Sequence, residues 1–138
     1  MKRGRIMALD YGEVRIGIAF SDLLLTIASP YETYKRKGEE IDLEFFKNLA
    51  KEKEVSKIVI GLPMNMDGTE GERAFKTREF GEKLKAMCEL EIEYVDERLT
   101  SVEAEEMLIQ SGMRREKRKQ VIDKVAAALI LESYLNRR

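Results

Sequence analysis

Residues 6–22, IMALDYGEVRIGIAFSD, contain the pattern that decides the predicted fold of this chain. Two apolar runs, IMAL and IGIAF, lie on either side of the short polar segment YGEV. Short apolar runs bounded by turn residues are typical of buried strands, so two strands over 5–10 and 15–20 are expected, joined by a tight turn. Asp10 ends the first run, where a buried carboxylate loses hydration unless a partner compensates for it.

The remaining sequence alternates between helical and strand patterns. After a third strand near 31–34, apolar spacing and turn residues predict helices over 39–54, 72–87, 100–112 and 120–135, and strands over 57–63 and 90–95. The order β-β-β-α-β-α-β-α-α indicates an α/β fold with a mixed five-stranded sheet. The first three strands are expected to be antiparallel and the later ones parallel, with helices on both faces.

Composition favours one folded domain over residues 1–138. The chain is 43% hydrophobic and 37% charged, which is typical of a globular protein with an ionic surface. No apolar run approaches the ~20 residues of a membrane span. The N-terminal segment MKRGRIMALD lacks the longer apolar stretch of a secretory signal, so a cytoplasmic location is expected and no membrane partner.

The chain has no histidine and one cysteine, Cys88. These counts exclude Ser-His-Asp and Cys-His catalysis as well as an internal disulfide. They also make a zinc site improbable, because zinc sites are built mainly from histidine and cysteine. A metal ion in this protein would therefore be bound by oxygen ligands, which suits hard cations such as Mg²⁺.

Several acidic residues stand where predicted elements begin or end. Asp10 ends the first strand, Asp96 and Glu97 follow the strand IEYV, and Asp123 is expected in the first turn of the last helix. Ligands of α/β sheets gather at the carboxyl ends of strands, and carboxylates that converge there repel one another unless a cation separates them. A pair of Mg²⁺ or Mn²⁺ ions serves phosphoryl transfer in such sites. Spacing alone leaves simpler roles open: Asp favours turns, and Asp123 would also complement a helix dipole.

Four segments together carry a resemblance to a known family: ALDYGEVRIGIAFSD, VIGLPMNMDGTEGE, YVDERLTSVEAE and IDKVAAALILESYL. In this order they resemble the YqgF/RuvX family, from Ile6 to Leu135. Its members are small bacterial proteins with a ribonuclease H-like fold. They are described as Holliday junction resolvase-like and as nucleases that mature the 5′ end of pre-16S ribosomal RNA.

The resemblance implies that Asp10, Glu97 and Asp123 form the catalytic set and bind Mg²⁺ or Mn²⁺. Side chains alternate in direction at a strand end, so only one of Asp96 and Glu97 is expected to face the site, and Glu97 is preferred. One departure is that well-known junction resolvases of this fold carry two acidic residues on the last helix. This chain offers only Asp123 there, until Glu132 far down the helix.

Glycine, arginine and polar residues near these motifs are expected to contact a nucleic acid. The predicted substrate-binding residues are Gly12, Arg15, Asn65, Thr69, Arg98, Arg114, Arg115 and Arg118. Glycine permits a tight turn near a phosphate, and arginine binds phosphate with two hydrogen bonds. The run MRREKRK, residues 113–119, is expected to be a basic loop that leads into the last helix and recognises backbone and shape. Each pattern is also typical of an ordinary turn, surface ion pair or solvated charge run.

A metal-dependent nuclease acting on structured RNA, with pre-16S ribosomal RNA as the family-implied substrate, is the leading hypothesis. A Holliday junction resolvase acting on branched DNA is the alternative with the same chemistry, and a non-catalytic nucleic-acid-binding module is a third possibility. The segment DYGEVRIG also resembles the phosphate loop of actin-like ATPases and sugar kinases. Those proteins close two domains over a nucleotide, whereas this chain has room for one. Both a monomer and a homodimer remain open.

Overall fold

The computed structural model describes residues 4–98 and 100–137, without the side chains of residues 100 and 101. Its strands are β1 (Arg5–Tyr11), β2 (Arg15–Ser21), β3 (Ala28–Lys35), β4 (Val55–Leu62) and β5 (Glu91–Asp96). Its helices are α1 (Glu39–Glu52), α2 (Glu72–Cys88), α3 (Thr100–Gln110) and α4 (Arg115–Arg137). The predicted order of elements is confirmed.

The five strands form one mixed sheet in the order β3-β2-β1-β4-β5. The pairs β1–β2 and β2–β3 are antiparallel, whereas β1–β4 and β4–β5 are parallel. The predicted mixed five-stranded sheet is therefore confirmed. Because β1, β4 and β5 run in the same direction, their carboxyl ends meet at one edge of the sheet.

Alternation along the strands divides the core between the two faces of the sheet. On β1, Met7 and Leu9 pack in the cluster that contains Phe46 of α1 and Phe80 of α2. The other face carries the small residue Ala8, which packs in a cluster with residues of α4. Helices cover both faces, as predicted.

Helix α4 begins at Arg115, so two predictions about this region are wrong. Most of the basic run 113–119 is helix and not loop, and Asp123 lies about two turns into α4 and not in its first turn. Arg, Glu and Lys are good helix formers, and nothing in this run breaks a helix. The break comes earlier, at Gly112, whose φ of 82° is readily adopted only by glycine. Asp123 is therefore placed by packing and not by the helix N-terminus.

Among the described residues, no helix combines the length and the apolar character needed to cross a membrane.

Candidate active site

A cleft of about 270 Å³ opens at the carboxyl edge of the sheet, where β1, β4 and β5 end. It contains all three carboxylates predicted from the sequence, on β1, after β5 and on α4. Three arginines also line it. The charged residues of the cleft are Asp10, Glu97, Asp123, Arg15, Arg73 and Arg98.

Strand alternation decides which acidic residue after β5 faces the cleft. Val95 packs in the core under α4, and Glu97, two residues later, continues on the same side. Glu97 is buried, with 8% of its surface exposed, and its N–H donates to the Leu62 carbonyl at 3.2 Å. Asp96 is exposed and accepts a hydrogen bond from Arg98 at 2.9 Å. The structure thus brings Glu97, and not Asp96, to Asp10.

Two glycines on the face covered by α4 make room for these carboxylates. Gly17 is the pairing partner of Asp10, and a Cβ on it would overlap the backbone carbonyl oxygen of Asp123. A Cβ on Gly61 would lie 2.7 Å from Oε2 of Glu97. Both contacts are closer than side chains tolerate. The missing side chains therefore allow α4 and Glu97 to reach the carboxyl end of β1.

Asp10 and Glu97 form a hydrogen-bonded pair of carboxyl groups, of which Glu97 is buried and Asp10 is half-buried. Burial, followed by the neighbouring charge of Asp10, raises the pKa of Glu97 to about 9. The pKa of Asp10 is raised to about 6, mainly by burial and to a smaller extent by the charge of Asp123, although the hydrogen bond with Glu97 opposes the rise. At neutral pH and without a cation, the pair therefore retains about one proton, because two adjacent buried carboxylates repel each other.

Asp123, the third carboxylate of the cleft, is paired with an arginine. Nε of Arg15 lies 3.0 Å from Oδ2 of Asp123. Within residues 4–98 and 100–137, no three acidic or cysteine side chains lie close enough together to bind a metal ion. The all-oxygen donors and the repulsion between Asp10 and Glu97 nevertheless fit a hard divalent cation. Asp123 is available to complete the set once its carboxylate leaves Arg15.

The three arginines of the cleft differ in their partners. Besides Arg15 with Asp123, Arg98 is paired with Asp96 and donates from Nη1 to the Met66 carbonyl at 3.0 Å. The guanidinium of Arg73, at the start of α2, makes no hydrogen bond or ion pair in the described part of the chain. Its charge lowers the pKa of both Asp10 and Glu97, against the larger effect of burial. Arg73 was not predicted from the sequence, although its position just after the glycine-rich segment GTEG was an available signal.

Gly12, predicted to let a phosphate approach, lines the cleft. A Cβ on Gly12 would lie 2.5 Å from the Arg15 carbonyl oxygen, so the β1–β2 turn requires glycine. The Gly12 carbonyl accepts from Arg36 at 3.2 Å, and Arg36 is in turn paired with buried Asp42 at 2.8 Å. The turn that borders the cleft is therefore anchored to α1.

Asn65 and Thr69 are engaged with each other in the loop after β4. Nδ2 of Asn65 donates to Oγ1 of Thr69 at 2.9 Å, and the Asn65 N–H donates to the Thr69 carbonyl at 2.8 Å. Asp67 accepts from the Thr69 hydroxyl at 2.6 Å. Neither Asn65 nor Thr69 is among the described residues that line the cleft. They stabilise the loop after β4, and Arg98 binds this loop through the Met66 carbonyl, next to Glu97.

The predicted basic residues 114, 115 and 118 also stand apart from the lining of the cleft, as far as the described residues go. Arg118 is engaged within the protein: Nη1 donates to the Met113 carbonyl at 2.8 Å, and Nε lies 3.3 Å from Glu105. Arg114 and Arg115 are exposed at the start of α4. Neither of these two guanidinium groups forms a hydrogen bond or an ion pair within the described part of the chain.

Comparison with solved structures defines the class of fold. Thermus thermophilus RuvC in complex with Holliday junction substrate aligns with a TM-score of 0.57 at 12% identity, over 97% of this chain and 95% of that one. The fowlpox virus Holliday junction resolvase aligns with a TM-score of 0.57 at 13% identity, over 97% of this chain and 99% of that one. At such identities the likeness establishes the fold, which is the ribonuclease H-like fold of these resolvases.

Sequence comparison then establishes the family. The family model RuvX, described as Holliday junction resolvase, matches residues 4–137, and the chain belongs to this family. A protein of Halothermothrix orenii named "Putative pre-16S rRNA nuclease" is 51% identical over 132 residues, which are 96% of this chain and 94% of the relative. A protein of the same name from Clostridioides difficile is 47% identical over 136 residues, 99% of this chain and 96% of the relative. The family resemblance inferred from the sequence is confirmed.

Proposed function

We propose that this protein is a nuclease that hydrolyses phosphodiester bonds in structured nucleic acid with the help of Mg²⁺ or Mn²⁺. Its substrate is pre-16S ribosomal RNA, cut at the 5′ end during ribosome biogenesis in the cytoplasm. One observation carries the proposal: the buried pair of Asp10 and Glu97 lies in the same cleft as Asp123 and three arginines. The name shared by relatives about half identical over nearly the whole chain supports the choice of RNA.

The residues of the cleft divide the chemistry between them. Asp10 and Glu97 would hold the cation, and Asp123 would join them. When bound, the cation supplies an activated water and stabilises the leaving oxygen. The protein's own contribution is to orient the carboxylates, which burial and the space over Gly17 and Gly61 fix in position. Arg15 and Arg98 bind non-bridging phosphate oxygens once they leave Asp123 and Asp96, and the backbone of Gly12 leaves room for the sugar-phosphate chain.

Branched DNA is the second candidate substrate. A structure of RuvC, which shares this fold, contains a Holliday junction substrate, and the family model is itself described as a Holliday junction resolvase. The carboxylate chemistry would be the same for both substrates. RNA and DNA differ here in the 2′-hydroxyl and in helix shape, so the choice depends on contacts outside the carboxylate pair.

The test is cleavage of a labelled pre-16S RNA 5′ fragment and of a four-way DNA junction, each with Mg²⁺, with Mn²⁺ and with EDTA. We expect metal-dependent cleavage of the RNA that Asp10→Asn abolishes. Asp96→Asn is the matched control, because Asp96 is adjacent to Glu97 in sequence but paired with Arg98, and it should retain activity. Cleavage of the junction alone would favour the DNA substrate. Binding without cleavage of either would make the protein a non-catalytic module.

A further inference from the structure

Only one of the arginines that line the carboxylate cleft lacks a partner in the described part of the chain. Arg15 is bound to Asp123 at 3.0 Å and Arg98 to Asp96 at 2.9 Å. The Arg73 guanidinium has neither a hydrogen bond nor an ion pair within residues 4–98 and 100–137. Arg15 and Arg98 would each have to give up an ion pair to bind a ligand, whereas Arg73 would not.

The backbone around Arg73 holds this side chain at the cleft. Arg73 lies in the first turn of α2, a helix of 17 residues, directly after the N-terminal residues Gly71 and Glu72. The next residue, Ala74, is fully buried, and the Arg73 carbonyl accepts from the buried Thr77 hydroxyl at 2.8 Å. The backbone is therefore packed, and the long side chain is left exposed at the rim of the cleft. The Arg73 side chain can therefore bind an anion in the cleft without movement of the helix backbone.

The position of Arg73 relative to the two carboxyl groups matters for what it binds. Arg73 is close enough to influence both Asp10 and Glu97 electrostatically, yet it forms an ion pair with neither. An arginine whose role was to neutralise these carboxylates would be expected to contact them directly. The Arg73 guanidinium lines the same cleft as the two carboxyl groups and is not bound to either, so it is available to an anion that enters the cleft.

We propose that Arg73 binds the phosphodiester group that lies over the Asp10–Glu97 pair, through its non-bridging oxygens. The inference rests on the proposed nuclease function and adds a substrate-binding residue to it. The ligand is a backbone phosphate, common to RNA and DNA. A planar guanidinium donates two parallel hydrogen bonds to such a group, which a lysine ammonium does not reproduce.

The experiment measures binding of the labelled pre-16S RNA fragment and of the four-way junction by fluorescence anisotropy, in EDTA, over a series of salt concentrations. Arg73→Gln should weaken binding about tenfold and reduce the slope of log K against log salt by about one. Arg73→Lys should restore the slope but only part of the affinity. Arg78→Gln is the matched control, since Arg78 lies on the same helix and is paired with Glu70 at 2.8 Å; its binding should be unchanged.

The outcomes separate this inference from the function on which it rests. If the unmodified protein binds a nucleic acid and Arg73→Gln binds it with the same affinity and salt slope, Arg73 is not the phosphate-binding residue and the nuclease proposal stands. If Arg73→Gln and Arg78→Gln weaken binding equally, the effect is one of overall charge, and the inference fails. If the unmodified protein binds neither nucleic acid, the proposed function fails and the inference fails with it.

Discussion

Arg15 on β2 donates a hydrogen bond from Nε to Oδ2 of Asp123 on α4 at 3.0 Å, across 108 positions of sequence. In this pair the Arg15 guanidinium supplies the positive charge beside Asp123, the third carboxylate of the cleft. The Arg15 side chain is 51% exposed, so the pair contributes little to stability and exchanges readily with solvent ions. The pair therefore matters mainly for binding. Asp123 has to separate from Arg15 before it can bind a cation, and Arg15 has to separate from Asp123 before it can bind a phosphate.

A first prediction concerns metal affinity. Arg15→Gln should strengthen Mn²⁺ binding to the free protein several-fold, because it releases Asp123 and removes a positive charge near the Asp10–Glu97 pair. Isothermal titration calorimetry with Mn²⁺, in the absence of nucleic acid, measures this. In an Asp123→Asn background the same substitution should have a much smaller effect, since the two residues then no longer interact. Equal gains in both backgrounds would show that Arg15 acts only as a distant charge.

A second prediction concerns pH and the buried carboxyl pair. Burial raises the pKa of Glu97 to about 9 and that of Asp10 to about 6. Between the ordinary pKa of a carboxyl group and these values, the folded protein holds more protons than the unfolded chain. The stability of the metal-free protein should therefore be greatest in acid, as far as this pair determines it, and fall as pH rises from about 4.5 to 9.

Glu97→Gln tests that dependence directly. Glutamine is neutral at every pH, so the folded protein no longer has to take up at this position a proton that the unfolded chain lacks. The substitution should therefore raise the free energy of unfolding at pH 8 by about 1–2 kcal/mol and flatten its decline with pH. Urea unfolding in EDTA at several pH values is the measurement. Asp96→Asn should leave the profile nearly unchanged, because Asp96 is exposed and paired with Arg98. A profile that Glu97→Gln does not alter would mean that the pair is not strained by charge.

A third prediction concerns the network that supports the β1–β2 turn. Fully buried Asp42 accepts hydrogen bonds from the Tyr34 hydroxyl at 2.8 Å, Nε of Arg36 at 2.8 Å and the Lys37 N–H at 2.9 Å. Burial acts to raise the pKa of Asp42, but these hydrogen bonds outweigh it and lower the pKa. Replacing Asp42 by Ala should cost about 3–5 kcal/mol, since it leaves the half-buried Arg36 without its ion-pair partner.

Thermal and urea unfolding of Asp42→Ala check this cost. Glu44→Gln is the control on the same helix, because Glu44 is exposed, and it should change stability by less than about 0.5 kcal/mol. Arg36 also donates to the Tyr11 hydroxyl at 2.7 Å, so the Asp42 substitution should loosen the turn at Gly12. Amide hydrogen exchange in this turn should therefore be faster in the variant than in the unmodified protein. Equal exchange rates would mean that the substitution destabilises α1 without affecting the turn.

A fourth prediction concerns the glycines under α4. Gly17→Ala puts a Cβ where the Asp123 carbonyl oxygen lies, and neither backbone is free to move far, so it should destabilise the protein by about 3 kcal/mol or more. Gly61→Ala should displace the Glu97 carboxyl group and reduce cleavage more than folding. Gly71→Ala is the control, since its Cβ would meet the Asn65 side chain at an ordinary 3.5 Å. If Gly17→Ala changed stability and cleavage as little as Gly71→Ala, this explanation of the close packing would be wrong.

The local pattern of the sequence was sufficient for the elements and for one choice within the site. Short apolar runs identified β1 and β2, and alternation identified β5. Along β5 the same alternation carries the side chain two positions after Val95 to the α4 face, where Glu97 lies. The start of α4 was wrong because the apolar pattern begins only at Val121, whereas the charged residues before it are themselves good helix formers. The periodicity of apolar residues indicates a helix only where one of its faces is buried, so a helical turn exposed to solvent on all sides gives no such signal.

The sequence by itself determined the order of strands and helices, and the resemblance of four of its segments to a known family implied the ribonuclease H-like class and pointed to Asp10, Glu97 and Asp123 as the acidic set. It could do so because residue types and the spacing of apolar runs are local properties of the chain. Only the tertiary structure decided that Glu97 forms a pair with Asp10, that Arg15 binds Asp123, and that Arg73 has no ion-pair partner among the described residues. These relations join residues far apart in the chain, and they depend on how closely α4 and α2 pack on the sheet. That closeness comes from Gly17 and Gly61, whose missing side chains matter only once a second element lies over them.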